Sequence, residues 1–224
     1  MTEKPETPTL PPLVAAQHRA MPFTRLTDCG MDPADARRLL TDTAAGTPWP
    51  DAAAALAEAQ LERARRAQES GHRTTARQAY RFAAAALMFA QMAYQTDTPE
   101  KRELYARHTA AVAALAPEVQ RVEIPHRDGV LGGWLCLPAG TPRATVVAWG
   151  GLSSWGAAYL PVADAYTARG LACLLVEGPG QGLRGRLVLV RMGEDRVLVD
   201  QSGAHGRPGE RVRRRCSSGR RPQP

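Results

Sequence analysis

The chain has 224 residues, 44% of them hydrophobic and 5% aromatic, enough apolar material for one or two domains with cores built largely of alanine and leucine. Its formal charge of +7 resembles a nucleic-acid signal until it is divided: residues 1–183 carry 18 basic and 18 acidic groups, and residues 184–224 carry 11 arginines against Glu194, Asp195, Asp200 and Glu210. A neutral body with all its excess charge in the tail has no long-range field to steer DNA onto that body.

Residues 1–12 form a polar lead, rich in Pro, Thr and Glu, expected to be disordered. From there to about residue 116 the pattern is helical. Asp32-Pro33 places a capping side chain before a proline at the first helical position, with Asp35 in the first turn. Pro50-Asp51 opens a second helix that stops near Gly71, and a third runs from about Thr74 to Gln95. In the third, Tyr80, Ala84, Leu87, Met88 and Met92 recur mainly at spacings of three and four, which predicts one apolar face. Thr98-Pro99-Glu100 starts a fourth helix that ends before Pro117.

After Pro117 the period changes. Val119 to Pro125 alternates as a strand, Arg127-Asp128-Gly129 is turn chemistry, and Val130 to Pro138 is a second strand, so the pair reads as a hairpin. Thr145 to Trp149 is a short buried strand, Gly156 to Arg169 is helical and stops at Gly170, and Leu171 to Val176 is another apolar strand. Two buried strands joined by a helix predict a parallel β-α-β unit, and the fold class is α/β. Residues 184–224 break this order: they hold Arg213-Arg214-Arg215 and Arg220-Arg221, scattered Gly and Pro, and the short apolar stretches Arg186 to Val190 and Val197 to Val199. They read as irregular.

Cys29, Cys136, Cys173 and Cys216 form no C-x-x-C pair and have no histidine at zinc spacing, so no metal is expected. Cys136 and Cys173 sit in strand-like runs, as small buried hydrophobes do. Reduced thiols, no apolar leader and a best apolar run, 82–90, too short to span a bilayer predict a cytoplasmic chain with no membrane partner.

Two turns could carry chemistry. Trp149-Gly150-Gly151-Leu152-Ser153-Ser154 follows the third strand, and a glycine pair there lets backbone N–H groups face a ligand with no Cβ in the way. The bland alternative is an ordinary strand-to-helix turn. Glu177-Gly178-Pro179-Gly180-Gln181-Gly182 follows the fourth strand, where Gly and Pro fix a sharp bend. Both bends fall at the sheet edge where α/β proteins bind ligands, and as a pair they are more specific than either is alone.

With these turns in view, residues 54–182 resemble the capped α/β-hydrolases of the 2,6-dihydropseudooxynicotine hydrolase and FrsA-like esterase type. The resemblance rests on the Ala-rich helical lead, Arg121-Val122-Glu123-Ile124-Pro125, the turn Gly150 to Leu152 and, above all, Gly178 to Gly182. It implies a helical cap over residues 13–117, a partial hydrolase core over 118–183, and hydrolysis of an ester or carbon–carbon bond without a cofactor. It further implies that the backbone N–H of Gly151, or failing that Leu152, donates to the oxyanion. Gly150, Ser153, Gly178, Pro179, Gly180, Gln181 and Gly182 would then shape the substrate pocket. The implied partner is a small-molecule ester or ketone; a homodimer is a further expectation.

One departure is large. Such enzymes carry a serine on a G-x-S-x-G elbow, followed by an acid and a histidine, and no G-x-S-x-G occurs here. Ser153 follows the wrong strand and suits helix capping or substrate contact. Ser202, after Val197 to Val199, is a weak candidate nucleophile with both elbow glycines displaced. His18, His72 and His108 read as surface or cap residues, His126 lies at the hairpin turn, and His205 reads as a solvated tail residue. The expectation is therefore a hydrolase-type chain that is catalytically incomplete and inactive.

The tail has three readings: a phosphate-binding arm, a disordered segment, or sequence foreign to the fold from a shifted frame or truncated gene. The third explains together why the family pattern stops at Gly182, why composition changes there and why the excess charge follows. The alternatives to the hydrolase reading are a helical interaction module built on residues 50–116 and nucleic-acid binding through the tail; nucleic acid is disfavoured because no lysines or aromatics interleave the arginines. A sheet ending after four strands is expected to leave the last parallel strand as an unpaired apolar edge.

Overall fold

The computed structural model describes residues 10–126, 129–150, 155–178, 190–192 and 195–197. The order of elements is six helices, an antiparallel hairpin, and a strand-helix-strand unit. The helices are α1 (Pro12–Ala20), α2 (Phe23–Asp28), α3 (Pro33–Ala44), α4 (Trp49–Glu69), α5 (Arg73–Met92) and α6 (Pro99–Ala113). The sheet holds β1 (Val119–His126), β2 (Gly129–Cys136), β3 (Thr145–Trp149) and β4 (Ala172–Val176). Between β3 and β4 lie a 3₁₀ turn (Gly156–Tyr159) and α7 (Leu160–Thr167).

The starts of α3 and α6 follow from side-chain chemistry. The Asp32 carboxylate accepts from the N–H groups of Ala34 (2.8 Å) and Asp35 (3.1 Å), satisfying donors that no preceding turn can serve. The Thr98 hydroxyl does the same for Lys101 N–H at 3.2 Å. Gly71 and Gly170 take φ of +76° and +73°, the left-handed geometry that ends α4 and α7 where a Cβ would be strained.

The single apolar face predicted for α5 is too narrow. Every residue from Ala83 to Gln91 is buried, whereas Tyr80 and Met92 are only half-buried. This second half of the helix is enclosed between α4, α6 and the 3₁₀ turn, and its alanines let neighbours approach from all sides. Trp49 anchors the start of α4 by donating its indole N–H to the Phe89 carbonyl at 3.1 Å.

The four strands lie in the order β1-β2-β4-β3. The β1–β2 and β2–β4 pairs are antiparallel and β3–β4 is parallel. The expectation that the last parallel strand forms the edge is thus overturned. β4, the more apolar strand, pairs on both sides, and β3 lies at the edge of the described sheet. On one sheet face Trp134, Cys136, Cys173 and Leu175 are buried beneath α7, the 3₁₀ turn and the helical region. The expectation of a buried strand at Thr145 to Trp149 is overturned: none of its residues is buried, and Val147 and Trp149 are 50% and 66% exposed, because β3 has a neighbour on one side only in the described sheet. Of residues 184–224, those described form a two-stranded antiparallel ribbon, β5 (Val190–Met192) and β6 (Asp195–Val197).

Candidate functional site

The register of the parallel pair determines where the two glycine-rich turns start. Trp149 pairs with Val176, so the chain leaves β3 through Gly150 and β4 through Glu177 and Gly178 on the same rim of the sheet. Both glycines are half-buried. Gly151, Leu152, Ser153, Pro179, Gly180, Gln181, Gly182 and the weak candidate Ser202 lie outside the described residues, as does His205.

Glu177, named above only as the start of a turn, is the polar centre of this rim. It is 3% exposed. Its backbone N–H donates to the Gly132 carbonyl at 2.9 Å, extending the β2–β4 pairing by one residue. The Tyr105 hydroxyl, arriving from α6, donates to Glu177 Oε2 at 2.6 Å. Arg121 on β1 brings Nη2 to 3.8 Å from the same oxygen and Nη1 to 3.5 Å from the Tyr105 hydroxyl, and its guanidinium lies over the Trp134 ring at 5.0 Å. A buried carboxylate thus has a donor from the helical layer and a cation from the sheet, the condition under which a buried charge is tolerated. Oε1 has no protein partner.

Two glycines keep this space clear. A Cβ on Gly132 would stand 2.7 Å from Arg121 Nη2 and 3.2 Å from Glu177 Oε2. One on Gly156 would stand 3.1 Å from Glu177 Cγ and 3.3 Å from the Leu175 carbonyl oxygen. A Cβ at Gly132 would therefore displace the Arg121 guanidinium, and one at Gly156 would press on Glu177 and the β4 backbone by a few tenths of an ångström.

Burial, with the adjacent Glu177 charge second, pushes the Tyr105 phenol far above its usual range, so it stays protonated and donates. His108, one turn further along α6, overturns the surface alternative in its reading: it lies in the helical layer and is 1% exposed. Burial holds its imidazole below the usual value, opposed by its contact with the Ala84 carbonyl, 2.8 Å from Nδ1. His18 lies nearer the surface, with Nε2 2.8 Å from Thr43 Oγ1. Burial raises the Cys136 thiol to about 12, with the neighbouring Cys173 adding to it, which accords with an inert buried sulfur. Among the described residues no group of three His, Cys, Asp or Glu could hold a metal ion, and no helix is long and apolar enough to cross a membrane.

The architecture has a solved counterpart. A crystal structure of 2,6-dihydroxy-pseudo-oxynicotine hydrolase superposes with a TM-score of 0.57 at 24% identity, over 72% of this chain and 46% of that one. The fold is α/β-hydrolase-like. The chain spans under half the length of that enzyme. A structure of AbyA5 aligns over 57% of this chain and 37% of its own, at 20% identity and a TM-score of 0.40. No family model and no curated protein matches the chain. The loop after β3 begins at Gly150.

The sequence signalled this rim through its glycines but not through Glu177, Tyr105 or Arg121. Only one signal was available: an isolated carboxylate between the apolar run Leu171 to Val176 and a Gly-Pro-Gly turn. Its partners lie 72 residues away for Tyr105 and on the far strand of the hairpin for Arg121, beyond any local spacing rule.

Proposed function

We propose that this chain carries the oxyanion side of an α/β-hydrolase site, for a small-molecule ester or ketone held between the helical layer and the sheet. The observation carrying this reading is the parallel β3–β4 register, which starts both glycine-rich turns from one rim. The backbone N–H of Gly151, or failing that Leu152, is the donor that meets negative charge on a reacting carbonyl oxygen. Such donors act strongly because they are fixed before charge develops and need no reorganisation. Gly150, Ser153 and residues 178–182 shape the pocket around that oxygen. Hydrolysis at this site uses no cofactor.

The chain holds no G-x-S-x-G elbow, so we further propose that it turns over no ester by itself. The expected result with p-nitrophenyl esters is a rate equal to that of buffer, with no fluorophosphonate label on the protein. Turnover abolished by Ser202→Ala would overturn the proposed inactivity. The oxyanion assignment is tested separately, by titrating the ¹⁵N-labelled chain with an anionic phosphonate monoester that mimics the tetrahedral intermediate. Amide shifts concentrated at Gly151 and Leu152 support it, and shifts confined to the arginine-rich tail refute it.

A further inference from the structure

The two faces of the four-stranded sheet differ in charge. Residues paired across neighbouring strands share a face, so the register sorts every side chain. The charged residues of the four strands, Arg121 and Glu123, both fall on the inner face, with Trp134 and Leu175 beneath the helical region. The outer face carries Val122, Leu135, Val147, Trp149, Leu174 and Val176, and none of these six is buried. A Cβ on Gly133 would stand 3.4 Å from Val122 Cγ2 and 3.6 Å from Leu174 Cδ1, so these two side chains flank one shallow dip. With strands about 4.8 Å apart and a rise of about 3.3 Å per residue, the outer face covers roughly 300 Å². A contiguous apolar surface of this size is often functional.

The occupant of such a face must be apolar and free of charge over the same extent. Residues 184–224 do not fit. Their longest apolar run, 187–190, lies between arginines, and the face offers no acid to pair with arginines laid against it. A second copy does fit. It brings a face of the same size and the same lack of charge, and two identical faces close about a twofold axis. Residues 1–183 sum to zero charge, so two such bodies approach without net repulsion. The footprint is well below the roughly 800 Å² per partner of a stable interface, so the pairing should be reversible.

We propose that the outer sheet face is a self-association surface, through which two copies of this chain stack sheet against sheet in a weak dimer. This rests on the register and side chains of the sheet, not on the hydrolase reading.

The test is sedimentation of the full chain over a range of concentrations, with two variants. The average mass is expected to rise from monomer toward dimer between about 5 and 500 μM, as a small apolar interface allows. Raising NaCl from about 0.05 to 0.5 M should leave this unchanged or strengthen it, since no charges meet across the contact. Val147 is 50% exposed, so Val147→Lys should leave the urea midpoint nearly unchanged while weakening association at least tenfold, by placing an unpaired charge in the contact. The second variant locates the contact: Val147→Cys, in a chain with Cys29→Ser and Cys216→Ser, should be joined into dimers by a short bismaleimide. Arg65→Cys, on the exposed surface of α4, should not be joined in the same background. A monomer at every concentration, association lost in salt, association undiminished in Val147→Lys, or no greater cross-linking at position 147 than at 65 would each overturn the proposal. The salt series and the cross-linking comparison decide the matter even if the lysine variant does not fold.

Discussion

In the helical region the second half of α5, Ala83 to Gln91, is enclosed on every side, with Leu87 and Phe89 fully buried, whereas in the sheet the edge strand β3 leaves Val147 and Trp149 half to two-thirds exposed. The same chain thus holds one region that completes its own core and another that completes only one face. Burial of a large apolar side chain contributes about 1.5–3 kcal/mol, so a bare face both forgoes stabilisation and offers a surface for association. The helical region should therefore dominate the stability of the chain, and the sheet its solubility.

The sharpest way to break that contrast is to cut into α5. Phe89→Ala should cost about 3–5 kcal/mol, measured by urea denaturation, because the elements packed on α5, which include α4, α6 and the 3₁₀ turn, cannot all collapse into the gap. A loss under 1 kcal/mol would mean that α5 is less enclosed than its burial indicates.

A smaller effect is expected where the two regions meet. Tyr105→Phe removes the donor to Glu177 Oε2 and leaves a buried carboxylate with Arg121 as its remaining neighbour; the cost should be about 1–3 kcal/mol. Glu177→Gln combined with Tyr105→Phe should cost less than the sum of the two single changes, since both act on one contact.

Acid should act through His108. Its folded-state value is lowered, so below the unfolded value of about 6.5 the unfolded chain gains a proton that the native chain refuses. Stability conferred by the neutral ring is present above that value and falls as pH drops below it. His108→Phe should flatten this part of the pH–stability curve, read from Tm between about pH 5 and 7.

The smallest expected change in stability is at the open face. Val147→Thr with Trp149→Thr should alter it by about 0.5 kcal/mol or less. The same pair should lower self-association in sedimentation, since it breaks the exposed apolar patch on the edge strand. An unchanged association constant would show that copies meet elsewhere.

Much of the fold was legible because its signals are local. Asp32-Pro33 and Thr98-Pro99 marked helix starts through side chains that cap within three residues, and Thr145 to Trp149 showed as an apolar run of strand length. Strand order was less legible. β4 passes between β2 and β3, and neither its spacing nor its composition states which neighbour it takes. The all-round burial of α5 was hidden because alanine is ambivalent: Ala83, Ala85 and Ala86 read as neutral filler on a helical wheel but pack as contact surface. At the rim, the glycines announced a bend, while the Tyr105–Glu177–Arg121 group depends on three elements meeting in space.

The bond from Tyr105 to Glu177 has a mechanical corollary. Swinging α6 away from the sheet would strand an anion without its nearest donor, a loss that solvent recovers only once the gap is fully wet. The helical layer is moored at that point.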